Sequence, residues 1–406
     1  MNPRRRAWLA QLMRRGAAAG AVVAWPASAS VSTSVSTPAG GGISDVAPAD
    51  DDPVRRGRPI RFPRDHGAHP GVRTEWWYAT GWLGTGTGNV TATETPVPTA
   101  GFQLTFFRSR TGLAVGHPSR LAARQLLFAH AAVTDLGDDK RRPVHHHAQR
   151  IARWNGDPQA AGARAALHDA DVAMGDWTLR RDGDTWHARL PASDFALALT
   201  LQATQPTLLQ GDAGFSRKGP QERQASHYYS EVQLTARGRL SADARAPVLQ
   251  GRAWLDHEWS DEILHPEAVG WDWVGFNLFD GSALTAFRLR RREGASEPAL
   301  WAGGSLRTAA GSASAPRSFA PGEVQFTPRR WWTSPASQAR YPVEWQLDSP
   351  AGRHTVRTLL DAQEMDGRGG TGAIYWEGLS ELLDAQGRRV GLGYLEMTGY
   401  AGALRL

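Results

Sequence analysis

Trp254, Asp256, His257, Glu258 and Trp259 stand within six residues of one another: two acids and an imidazole bracketed by indoles. A carboxyl group held against aromatic faces loses hydration, so its pKa rises and it keeps its proton nearer neutrality. Such a group can protonate an apolar substrate, and indole faces stabilise the cation that results. In an extended run the side chains alternate. Trp254, Asp256 and Glu258 then share one face, and Leu255, His257 and Trp259 the other. Carboxyls two residues apart on a strand are separated by roughly 6.5–7 Å, where each disfavours ionisation of the other. One of the two acids could therefore be the proton donor while the other, or His257, positions water. The same spacing also suits Asp256 or Glu258 as partner of a buried arginine.

Two further groups have the same make-up, Glu75-Trp76-Trp77-Tyr78 and Gly270-Trp271-Asp272-Trp273, in a chain with 17 tryptophans among 406 residues. Glu75, Trp76, Trp77, Trp254, Trp259, Trp271, Asp272 and Trp273 are therefore candidates to line a substrate site, with Tyr228 and Tyr229 as hydrogen-bond donors to a ligand oxygen. The alternative is that the indoles fill sheet cores and the acids sit at strand ends. Asp65, His66 and His69 together with Asp256, His257 and Glu258 offer oxygen and nitrogen ligands, and His145-His146-His147 is a third group. That would allow a metal-dependent hydrolase, but no cluster has a recognised metal spacing and no metal ligand is assigned. The chain has no Gly-x-Ser-x-Gly elbow, phosphate loop or dinucleotide fingerprint, so no cofactor is expected.

The elements that must hold these residues are strands. Apolar residues alternate over 102–107, 195–201, 228–234, 271–279, 284–289, 343–347 and 393–400, each run bounded by Gly, Pro, Asp or Asn. No amphipathic helix exceeds about three turns, which predicts an all-β protein of antiparallel sandwiches or barrels. The length predicts two units, 61–255 and 256–406. Long loops are expected at 84–100, 137–170 and 291–340. A Trp-rich acidic strand followed by an apolar strand ending in Arg occurs at 75–108 and again at 271–290. A duplicated barrel or chance in β-rich sequence would account for it.

Arginines 4–6, 14 and 15 precede an Ala/Gly/Val run and the small-x-small triplet Ala27-Ser28-Ala29. This reads as a signal peptide over 1–29, by the general or the twin-arginine route, with a periplasmic or secreted product. Residues 30–60 read as a disordered tether. Removing five arginines and no acid takes the formal charge from +6 to +1, so the basic balance implies no nucleic-acid partner. The chain has no cysteine, which excludes disulfides and thiolate chemistry. No stretch of the mature chain is long and apolar enough for a transmembrane span.

Several ordered blocks resemble one family. They are Phe62-Pro63-Arg64-Asp65-His66-Gly67-Ala68-His69, Glu75–Tyr78, Tyr228-Tyr229-Ser230, Trp254–Trp259, Gly270–Trp273, Tyr375-Trp376-Glu377-Gly378 and Gly393–Tyr400. Over Phe62 to about Tyr400 the chain resembles the AttH-like family, which includes the carotenoid 1,2-hydratases. The resemblance implies two tandem lipocalin-like barrels with a ligand cavity in or between them, and a hydro-lyase activity with Asp256 as acid. It implies as substrate an isoprenoid or polyene-like molecule, hydrated or cyclised. Members with transport-type roles leave open a non-catalytic carrier of hydrophobic cargo linked to a transport system. An export signal is not expected of a membrane-associated carotenoid enzyme.

Overall fold

The computed structural model describes residues 53–84, 96–112, 119, 122–292, 298–309 and 315–404. The expected signal peptide lies outside them, as does the tether up to residue 52. Residues 53–60, also expected in the tether, belong to the folded body: Val54 and Ile60 pack on Val72, Tyr229 and Trp259.

The chain is nearly all β, in two antiparallel sheets that follow one another along the sequence. The first begins with β1 (Thr74–Gly84), β2 (Ala100–Arg110), β3 (Gln125–Asp135) and β4 (Val144–Trp154). Short strands follow: β5 (Ala163–Ala165), β6 (Asp171–Met174), β7 (Trp177–Asp182), β8 (Thr185–Pro191) and β9 (Ala196–Gln202). It ends with β10 (Leu208–Leu209), β11 (Phe215–Arg217), β12 (Ala225–Arg239) and β13 (Leu249–Ser260). The spatial order β4-β3-β2-β1-β13-β12-β9-β8-β7-β6-β5 curls into a near-barrel. Arg150 of β4 reaches the carbonyl of Met174 in β6 across the remaining gap.

The second sheet opens with β14 (Gly270–Leu278), β15 (Ala283–Arg290), β16 (Trp301–Arg307), β17 (Arg317–Phe319) and β18 (Gln325–Thr333). It continues with β19 (Arg340–Ser349), β20 (Gly352–Thr358), β21 (Glu364–Asp366), β22 (Ile374–Leu383) and β23 (Arg389–Met397). Its order, β17-β16-β15-β14-β23-β22-β20-β19-β18, makes a half-barrel. The expected class of two tandem lipocalin-like barrels is the one found. The expected border at 255/256 falls inside β13, and the change of sheet occurs over residues 261–269.

Each sheet encloses its own apolar core, around Trp77, Trp154, Trp177 and Trp186 in the first and Trp345 and Trp376 in the second. A third cluster, with Tyr78, Trp82, Trp254, Trp273, Leu379 and Tyr394, lies between the sheets. Two of the expected loops, 137–170 and 291–340, contain strands. In β4 Ala148, Ala152 and Trp154 meet the core, and the His, Gln and Arg around the two alanines hide the alternation. In β16 the pair Gly303-Gly304 reads as a loop, yet a Cβ at Gly304 would lie 2.2 Å from the Thr285 carbonyl. Pro328 interrupts β18 where its register shifts.

The internal echo has a structural counterpart. Glu75 and Arg108 are cross-strand partners on β1 and β2, and Asp272 and Arg288 are partners on β14 and β15. Both pairs are buried ion pairs, at 2.7 and 2.8 Å. Aligning the two acids places Trp76 on Trp273. Their partners on the other side are then Glu258 on β13 and Glu396 on β23. Next in line stand Tyr228 on β12 and Glu377 on β22.

Candidate functional site

Those matched residues face one another across a cavity of about 100 Å³ between the sheets. Trp76, Tyr78, Phe107 and Tyr228 come from the first sheet; Trp271, Trp273, Phe287 and Tyr375 come from the second. Period-two alternation puts these rings on one face and leaves the opposite faces to the two barrel cores. Four carboxyl groups enter this aromatic space, those of Asp256, Glu258, Glu377 and Glu396, with one cation, Lys218.

Asp256 accepts hydrogen bonds from Tyr228 Oη at 2.8 Å, Ser230 Oγ at 2.5 Å and Trp254 Nε1 at 2.7 Å. Burial pushes its pKa up to about 7, against the three donors, which favour the carboxylate. Repulsion from Glu258 is a lesser cause, where sequence spacing made it a main one. Glu258 is compensated: Lys218 Nζ lies 2.8 Å away and Ser226 Oγ donates to the same oxygen. The ammonium also sits 4.3 Å from the Phe287 ring centre and 4.7 Å from that of Tyr228.

Glu377 and Glu396 occupy the opposite wall. Burial raises both, with repulsion between them as the second cause for Glu377; Glu396 is brought to about 7. Glu377 is 2% exposed, and its Oε1 has no hydrogen-bond partner. The Tyr78 hydroxyl, on the same cavity, interacts with Glu377 but makes no hydrogen bond of normal geometry either. Both acids lie in blocks that carry the family resemblance, Tyr375–Gly378 and Gly393–Tyr400, which gives them no role. The juxtaposition Trp376-Glu377 is the same signal that marked Glu75-Trp76. Lys218, in an Arg-Lys-Gly-Pro loop, gave no signal.

The expected site residues therefore divide. Trp76, Tyr228, Asp256, Glu258, Trp271 and Trp273 line the cavity, and Trp254 supports Asp256. Glu75, Trp77, Tyr229, His257 and Trp259 lie inside the first barrel, so His257 cannot act with Asp256 and Glu258. There Glu75 Oε1 meets His257 Nε2 at 3.0 Å and His69 Nδ1 at 2.7 Å, and Oε2 meets Arg108 Nε at 2.7 Å. His257 Nδ1 and His66 Nδ1 share the Tyr229 hydroxyl, at 3.1 and 2.6 Å. Trp77 stacks on His257, and Trp259 on His69. Burial would raise Glu75, but His69, Arg108 and His257 hold it well below the usual carboxylate range. Asp272 reaches neither the cavity nor solvent. It is buried in the second barrel, bonded to Arg288 and to the Tyr400 hydroxyl.

Ligand atoms of His69, Glu75 and His257 lie within 4.8 Å of one another, a donor set suited to a divalent ion. Arg108 and the His69 backbone N–H already satisfy Glu75, however, and Asp65 engages His69 Nε2. A second positive charge there would compete with the guanidinium. Asp256 and Glu258 face away from this group. His145 bonds Thr134 on β3. The combined metal cluster that the sequence would allow does not assemble among the described residues.

The sequence matches the AttH-like family over residues 53–400. An AttH protein of Nitrosomonas europaea is similar in structure, with 41% identity, a TM-score of 0.72, and coverage of 86% of this chain and 99% of that one. Kievitone hydratase of Nectria haematococca has the same fold at 14% identity and a TM-score of 0.57, covering 87% of this chain and 98% of that one. No protein of curated function matches the sequence.

Proposed function

The chain belongs to the AttH-like family, and we propose that it is a hydro-lyase that hydrates or cyclises an isoprenoid or polyene-like substrate by acid catalysis at Asp256. The observation that carries this reading is a buried carboxylic acid, with its pKa near 7, in a cavity walled by indole and phenol rings. With its pKa raised to about 7, Asp256 can hold a proton near neutral pH while facing a space walled by rings. Its O–H bond breaks as a C–H bond forms at one alkene carbon, and the other carbon becomes cationic. The ring faces and the Asp256 carboxylate left by the proton transfer stabilise that cation. Water then forms the C–O bond and gives its proton to a carboxylate; in cyclisation, a second double bond forms a C–C bond to the cation, and the new cation loses a C–H proton to a carboxylate to leave a double bond. Asp256 regains a proton between turnovers. The likeness to kievitone hydratase, a matter of fold, is compatible with such chemistry.

The test is to incubate the protein with linear isoprenoid alkenes and look for products heavier by one water, or isomeric and cyclic. Asp256→Asn should lower their formation by about 10²–10⁴ while binding persists. Equal rates in the folded variant would remove Asp256 from the reaction.

A second reading is a carrier of hydrophobic cargo. It is supported by a larger mouth of about 350 Å³ that shares Phe107, Ile263, Trp271 and Tyr375 with the cavity and could accommodate a long chain. A carrier would bind the same alkenes and yield no product with either protein. In both readings we place the protein in the periplasm or outside the cell after removal of residues 1–29. N-terminal sequencing of the native protein tests that placement. Among the described residues no helix is long and apolar enough to cross a membrane.

A further inference from the structure

We propose that the Glu377–Glu396 half of the cavity is a binding subsite for an organic monocation, an alkylammonium group carried on an apolar chain. The proposal concerns what the resting protein binds, and it does not depend on the hydration reading.

The argument rests on the shared register of the two sheets. Trp76, Glu258 and Tyr228 in the first sheet correspond to Trp273, Glu396 and Glu377 in the second. The first half already contains a cation. Lys218 lies against Glu258 at 2.8 Å and over the rings of Phe287 and Tyr228, an ammonium on aromatic faces beside a carboxylate. The second half has the same construction with one more acid. Tyr78, Trp271 and Tyr375 wall it, and the indole of Trp271 bonds Glu396. Among the described residues no lysine or arginine pairs with Glu377 or Glu396.

An independent observation points to a missing partner. Buried acceptors are nearly always satisfied, yet Glu377 Oε1 makes no hydrogen bond of normal geometry; the Tyr78 hydroxyl that interacts with Glu377 across the cavity lies outside that geometry as well and brings no charge. Two adjacent buried carboxyls without a cation must retain protons, which is the direction in which both are shifted. A cation entering between them can displace a proton and supply the absent charge. Its surroundings select its chemistry. A small metal ion requires a shell of oxygens, whereas here the walls are ring faces, which favour a soft, weakly hydrated ammonium. The wider mouth beyond Trp271 and Tyr375 has room for the attached chain.

The probes are decyltrimethylammonium and decan-1-ol below their aggregation limits. Binding is followed by isothermal titration calorimetry and by the fluorescence of Trp76, Trp271 and Trp273. The ammonium should bind at one site, about tenfold or more tighter than the alcohol, the range of a desolvated cation–π and carboxylate contact. The preference should disappear in Glu377→Gln/Glu396→Gln, with alcohol binding retained. Equal affinity of the two probes for the wild-type protein overturns the proposal, and that comparison requires no variant to fold. A preference that survives in the folded double variant overturns the placement. Either failure leaves the Asp256→Asn test of hydration untouched.

Discussion

Asp256 and His257 are neighbours in the chain, yet they open into different interiors of the protein. Asp256 faces the cavity between the sheets, and His257 faces the first barrel, where it bonds Glu75 at 3.0 Å. One strand, β13, is thus the wall between a site with room for a ligand and a closed polar network. Substitutions one residue apart should consequently have unlike effects, on chemistry at 256 and on folding at 257.

Asp256 should titrate in the folded protein with a midpoint of about 7. The protonated-carboxyl stretch in infrared difference spectra should fade through that pH and be absent from Asp256→Asn. Tyr228→Phe removes a hydrogen bond that favours the carboxylate, so it should move the midpoint upward. A downward movement would refute the assigned geometry.

Stability should fall on both sides of a mildly acidic optimum. Asp256 and Glu396 have raised folded pKa values, so their contribution is complete below the ordinary carboxyl range and lost as pH rises towards about 7. Glu75 and Asp65 are lowered, so theirs is present above that range and lost as pH falls below about 4. Urea midpoints measured across this interval test the shape, and Asp256→Asn should flatten the neutral limb.

Glu75→Gln should destabilise the protein by about 3–5 kcal/mol, because it leaves the fully buried Arg108 without its counter-charge. Removing both charges in Glu75→Leu/Arg108→Met should cost less than the single change. Urea unfolding of the three proteins distinguishes a paired charge from a merely packed one.

Gly101→Ala should cost about 1–3 kcal/mol by overpacking. Its Cβ would meet the Tyr394 hydroxyl at 2.7 Å and Leu379 Cβ at 2.9 Å, so the strain falls where the two sheets meet. Gly322→Ala meets nothing within 4 Å and serves as the neutral comparison in thermal melts.

The β class and most strands were legible because the alternation at 102–107 or 271–279 is that of strands buried against a core. β4 and β16 were not, since alanines and glycines pack as tightly there as larger residues do elsewhere. Alternation also split the Trp254–Trp259 run correctly into two faces. It could not tell which face meets a second sheet, and so His257, Glu75 and Asp272 entered the candidate list on composition alone. Asp272 illustrates the limit: an acid on an apolar face is readable, but its partner Arg288 is fixed only by cross-strand register. Lys218 comes from a loop whose path depends on tertiary packing, and sequence carries no trace of its contact with Glu258.

The matched acid–arginine pairs make this molecule its own control experiment. Glu75→Gln and Asp272→Asn remove the same kind of charge from the same place in two copies of one strand arrangement, the first wired to imidazoles and the second to Tyr400. Whatever differs between the two measured losses is attributable to the surroundings, a separation that normally requires two proteins.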